Sequence, residues 1–167
     1  MTAPVQQVAW GPVKRIDDVV RSLFSHTAEL LGGDVPEPAV TLDLPATDPE
    51  PLHVFTLTNA HDYEVVGFLT NGVVQLSFDV DVVCVATADS MEEAARIANA
   101  YQSLLLQVTL CDGDLGGTVQ EVGAPQVADY RTWVDADGRR HAGYRLSYNM
   151  TKDVAASAAV RQIIEGM

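Results

Sequence analysis

Cations are scarce in this sequence: ten Lys and Arg stand against 23 Asp and Glu, a formal charge of −13 over 167 residues. So acidic a chain repels phosphate backbones and anionic lipid headgroups, which argues against direct binding to nucleic acid or a membrane surface. The same acidity serves plain solubility. Cysteine is nearly absent. Cys84 and Cys111 are too few for a disulfide framework, and Cys84 sits among Val82, Val83 and Val85 in what reads as a buried strand, so both thiols are expected to be reduced. No apolar run approaches the roughly 20 residues that span a bilayer. Met1 to Trp10 has neither the basic start nor the apolar run of an export signal, so the expectation is a protein made and kept in a cytoplasm.

What is present suits a packed core. At 47% hydrophobic and 20% charged, residues 1–167 are expected to form one domain that buries roughly 70% of its unfolded surface. From Pro12 the apolar positions Val13, Ile16, Val20, Leu23, Phe24 and Leu31 recur at helical spacing. Pro12 suits a first turn and Gly32-Gly33 a stop, while Asp17 and Asp18 are expected near the positive end of the helix dipole. Five prolines then punctuate Asp34 to Pro51. Residues 34–52 therefore read as a Pro-rich arm or loop with at most a short edge strand near Val40 to Leu44. A plain connector and a partner-binding arm both fit it.

His53 to Thr58 alternates as a short strand, and Glu64 to Thr70 meets Val73 to Ala86 across Asn71-Gly72, a strong hairpin signal. In the longer strand Val74, Leu76, Phe78, Val80, Val82 and Cys84 share one face. Gln75, Ser77, Asp79 and Asp81 share the other, which is then wet or covered by a partner. Ser90 with Glu93 makes a capping box before the stripe Ala94, Ile97, Ala98, Tyr101, Leu104, Leu105 and Val108, a helix that should end before Gly113. Gly117 to Ala124, Gln126 to Val134 and Arg139 to Met150 read as an antiparallel meander. A weak alanine-rich helix from Asp153 to Glu165, in a C-terminal segment 153–167, either closes the chain or orders only on assembly. The expected class is α+β: a mostly antiparallel sheet with a long hairpin and a meander, packed against two main helices. Leu76, Phe78, Val80, Ile97, Tyr101, Leu104, Leu146 and Tyr148 are expected to share its core.

Chemistry-bearing patterns are incomplete. Asp135-Ala136-Asp137-Gly138 and Asp112-Gly113-Asp114 resemble fragments of a calcium loop, but neither has the closing bidentate Glu, and a hairpin turn and a helix exit explain them better. His26, His53, His61 and His141 lack the short spacing that gathers zinc ligands. No nucleophile elbow or Cys-His signature occurs, although a triad can still assemble in space. Leu115-Gly116-Gly117 follows a helix and precedes a strand, the reverse of a dinucleotide loop, so it is a turn. Tyr130, Trp133, Tyr144 and Tyr148 can stack a ligand, but at alternate strand positions core or interface is the commoner use. Neither catalytic residue nor metal nor cofactor is expected.

The order of helix, proline-rich arm, long hairpin, capped helix and meander resembles the tail terminator proteins of long-tailed bacteriophages. It is carried by Val13 to Leu31, Asn71-Gly-Val-Val-Gln-Leu-Ser-Phe-Asp-Val80, Ser90-Met-Glu-Glu-Ala-Ala-Arg-Ile-Ala-Asn-Ala-Tyr101, and Tyr130-Arg-Thr-Trp133 through Gly143-Tyr144. Tail completion and head–tail connector proteins share this texture. The resemblance implies a subunit that forms a homo-oligomeric ring, a hexamer, at the head-proximal end of the tail tube. It implies tail tube protein and head–tail connector protein as partners, a place in the host cytoplasm and then the virion tail, and no cofactor or catalysis. Two-faced strands independently favour burial against further copies. Asp79 and Asp81, next-but-one on the polar face, are the candidates for an acidic lumen-facing surface. Pairing with Arg139 or Arg145 across the sheet is the plainer reading. The reading from a different class is a small-molecule-binding or enzymatic domain with its cleft between hairpin and meander.

Overall fold

The computed structural model of the chain describes residues 8–26, 29–30, 39–40, 53–69, 72–155 and 157–167. The proline-rich arm other than Ala39 and Val40, and Asn71 of the hairpin turn, lie outside them. The class is α+β. The elements run α1 (Trp10–Ser25), β1 (Ala39–Val40), β2 (His53–Phe68), β3 (Val73–Ala88), α2 (Met91–Leu106), α3 (Val108–Cys111), β4 (Glu121–Val122), β5 (Gln126–Val134), β6 (Arg140–Ala155) and α4 (Ala158–Glu165).

Three strands of sixteen residues each, β2, β3 and β6, form the middle of the sheet in antiparallel pairs. Gly72, at φ +75°, takes the left-handed conformation a tight turn requires, and the Leu69 amide closes the hairpin onto the Val73 carbonyl at 2.8 Å. β1 adds in parallel at the outer edge of β2, while β4 and β5 both pair with β6.

One face of this sheet is covered by helices. Ser90 accepts a hydrogen bond from the Glu93 amide at 3.2 Å, the first half of a capping box, and so fixes where α2 starts. Ala94, Ile97, Ala98, Tyr101, Leu104 and Leu105 then face the sheet, where they meet Phe78, Val80, Val82, Cys84, Leu146, Tyr148 and Met150 in one buried cluster. Ile16 and Val20 bring α1 into the same cluster. Tyr148, buried like its neighbours, satisfies its hydroxyl by donating to the Leu105 carbonyl at 2.8 Å. Burial pushes the Cys84 thiol up to about 12, which marks it as a packing residue.

Several boundaries differ from the expectations, each for a visible reason. Leu76 is half-buried, because the fully buried run of β3 begins at Phe78 and Leu76 lies nearer the hairpin end. α1 begins at Trp10, so Asp17 and Asp18 fall in its middle, away from the dipole, and pair instead with Arg21 and Lys14 at 2.9 Å. His53 to Thr58 and Glu64 to Phe68 belong to one strand, Thr70 lying outside the described residues: the continuous ladder of β3 carries β2 through, and a bulge between His61 and Glu64 absorbs the mismatch, with Asp62 at φ +56°. The meander is a hairpin with a broken outer strand, since β4 and β5 share one side of β6 and do not pair with each other. The expected strand Gly117 to Ala124 shrinks to Glu121–Val122. β6 runs on to Ala155, because Val73 to Ser77 need a ladder partner, so α4 starts at Ala158 and not at Asp153.

Candidate functional site: the open face of the sheet

No described helix covers the second face of the sheet, the face of Ser77, Asp79, Asp81, Val83, Val85 and Thr87, which β6 continues with His141, Gly143, Arg145, Ser147 and Asn149. It divides into a polar centre and an apolar end.

Asp81 organises the centre. Its residue is 7% exposed, and its carboxylate accepts from Ser147 Oγ at 2.6 Å, His61 Nε2 at 2.7 Å and Arg145 at 3.4 Å. The Arg145 guanidinium also reaches Asp129 at 3.0 Å. Asp129, at φ +55°, sits in the bulge of β5 as Asp62 sits in that of β2, so one left-handed Asp flanks the centre on each side. His61 Nδ1 meets Asp62 at 2.9 Å. Since carboxylates only accept, both ring nitrogens of His61 are satisfied together only in the charged imidazolium, and the bonds to Asp81 and then Asp62 raise its pKa above the ordinary 6.5. Asp79 is half-buried and accepts from Asn149 Nδ2 at 3.0 Å. Asp81 thus stands engaged within the subunit, paired with Arg145 across the sheet, and Asp79 is the more open of the two.

His61, Asp62 and Asp79 bring one ligand atom each within 4.8 Å of one another. Both nitrogens of His61 already serve carboxylates, so a cation would have to break one of those bonds to enter.

At the apolar end a pocket of about 470 Å³, open to solvent, is lined by Val83, Val85, Asp129, Arg131, Trp133, Gly143, Tyr144 and Arg145. Gly143 lets it exist: a Cβ there would stand 3.2 Å from the Cys84 carbonyl, from Val85 Cγ2 and from the Trp133 ring. The indole lies across the glycine and stacks on His141 at 5.1 Å. Beneath it runs a chain of three groups, Thr87 Oγ1 to His141 Nδ1 at 2.8 Å and His141 Nε2 to Asp135 at 2.7 Å. This is the connectivity of a hydroxyl–imidazole–carboxylate triad, but Thr87 is 0% exposed and its oxygen cannot meet a substrate. The other Asp135 oxygen accepts from the Asp137 and Arg139 amides at 2.9 Å, so the calcium-like loop is a hairpin turn pinned from inside. These bonds hold the Asp135 carboxyl below the usual carboxylate range, His141 being the main cause. Asp112 works similarly, accepting from the Gly116 amide at 2.9 Å and from Arg15 at 2.7 Å.

The four-aromatic group splits between the faces: Tyr144 and Tyr148 are buried with the helices, while Trp133 and Tyr130 are exposed. Sequence reasoning offered a cleft between hairpin and meander but not the residues that shape this groove, because Gly143 and the register that sets Trp133 opposite His141 emerge only once β5 and β6 are paired. It also missed the left-handed Asp62 and Asp129, whose only signal was a polar residue inside an alternating run. No protein-family model matches the chain, and no curated protein matches it significantly. No described helix is long and apolar enough to cross a membrane.

Proposed function

We propose that the protein is a structural subunit of bacteriophage tail assembly, which forms a ring at the head-proximal end of the tail tube, ends tube polymerisation and offers the surface for head joining. The observation that carries its assembly role is the uncovered surface. The hairpin end of β2 leaves Tyr63, Val65, Val66, Phe68 and Leu69 exposed, with Phe68 at 86%; Val65 and Phe68 pair with Leu76 and Val74 on the face of Phe78, and the opposite face of the sheet has no described helix over it. Apolar side chains grouped in this way mark an interaction surface more than a solvated one. The tail position itself rests on the resemblance in element order. Tail tube protein and connector protein are the partners this reading names.

The pocket beside Trp133 favours a second reading, a small-molecule-binding or enzymatic domain with its cleft between the hairpin and the β5–β6 pair, and its volume falls in the ligand range of about 300–1,000 Å³. The inaccessible Thr87 weighs against hydrolysis there. Electron microscopy of the purified protein, alone and added to polymerising tail tube protein, tests the first reading. Rings, and tubes that stop growing, are expected. Single subunits with unaffected tube growth contradict it.

A further inference from the structure

We infer that the groove beside Trp133 receives helix α4 of a second copy of this chain, so that subunits join head to tail. This rests on the ring reading and names its contact.

α4 carries an exposed apolar stripe. Val160, Ile163 and Ile164 stand at i, i+3 and i+4, and the two isoleucines are 65% and 64% exposed. That is the spacing of a helix that lays one face into an apolar groove. The floor of the groove is Val83, Val85 and Gly143, with Trp133 as one wall. It crosses three adjacent strands, about 10 Å at ordinary strand spacing, against about 12 Å for an eight-residue helix. Asp129 and Arg145 of the lining pair with each other, which leaves Arg131 at the rim to meet Glu165, the carboxylate that follows the stripe on α4, while Arg161 lies next to Val160 within the helix.

The helix cannot fill the groove of its own subunit. The groove lies at Gly143 and Arg145, whereas α4 follows the far end of β6 at Ala155. Ten strand residues separate Arg145 from Ala155, about 33 Å. Three Cα steps from Ala155 to Ala158 reach about 11 Å at most, and the whole helix adds about 12 Å. The occupant therefore comes from a neighbour. A helix on one side of the subunit and its receptor on another make a heterologous contact, which closes into a ring when the rotation fits.

The test uses the full chain in sedimentation. Ile163→Glu with Ile164→Glu places charges at exposed positions, and Arg131→Glu reverses the rim. The helix variant is expected to associate about a hundredfold more weakly, as the loss of two buried isoleucines implies, and the rim variant more weakly than the unchanged chain. Glu165→Arg should restore association to Arg131→Glu. A mixture of the helix variant with a groove variant, Trp133→Ala, should give a discrete dimer, since one good helix and one good groove remain. A helix variant that assembles like the unchanged chain overturns the docking and leaves the ring reading standing, as does a mixture that stays monomeric. An unchanged chain that is monomeric at every concentration overturns both.

Discussion

The two faces of the sheet are built by one alternation and end in different conditions. On the helix-covered face Phe78, Val80, Val82 and Cys84 are all 0% exposed among apolar neighbours, and Tyr148 satisfies its hydroxyl on the Leu105 carbonyl. On the open face the same strand presents Ser77, Asp79, Asp81, Val83 and Val85, and burial there comes from side chains lying across one another: Arg145 over Asp81, and Trp133 over Gly143 and His141. The first face is finished within the subunit. The second pairs its central Asp81 with His61 and Arg145 within the subunit and leaves its apolar end and Arg131 open, and that is the condition of a surface awaiting a partner.

The sharpest way to expose this difference is to truncate each face in turn. Phe78→Ala, on the covered face, should destabilise the fold by about 3–5 kcal/mol in chemical denaturation, because the ring is fully buried and its loss also removes the stack on Tyr63. Asp81→Ala, on the open face of the same strand, should cost less, about 1–3 kcal/mol, since Ser147 and His61 lose an acceptor but can turn toward water.

A smaller effect separates the two imidazole–carboxylate pairs of the open face by sign. His61 has a raised pKa, so the stability it supplies is fully present below its ordinary 6.5 and is lost as pH rises through the raised value. Asp135 has a lowered pKa, so its contribution is present above the ordinary 3.8 and is lost as pH falls through the lowered value. Denaturation across pH should therefore show His61→Gln flattening the loss on the neutral side of 6.5 and Asp135→Asn flattening the loss on the acid side. Exchanged or absent effects would mean that the bonds to Asp81 and Asp62, or to His141, are not made in solution. Smallest of all, Ile163→Glu should leave stability within about 0.5 kcal/mol, as exposed substitutions do, since α4 adds nothing to the core of its own subunit.

The covered face was legible in the sequence because burial and periodicity report the same thing: Ile97, Tyr101, Leu104 and Leu146 are apolar where the period demands and are buried. The open face was not, because its features arise from pairing. Nothing in Asn59 to Asp62 announces that a strand continues through a bulge, and a polar stretch there reads as a loop until β3 supplies the ladder. Asp81 showed its face from spacing alone, but the hydrogen bonds that engage it come from residues twenty and more positions away. Gly143 looked like an ordinary strand residue, and only Trp133 lying across it shows why a side chain is missing there.

Sedimentation velocity of the unmodified chain, over a concentration series at low and moderate salt with and without magnesium, tests the central claim of assembly most directly. The acidic subunits repel one another, so screening should strengthen their association, and the expected result is one discrete oligomer that becomes more populated as salt rises. A monomer at every concentration and salt would contradict it.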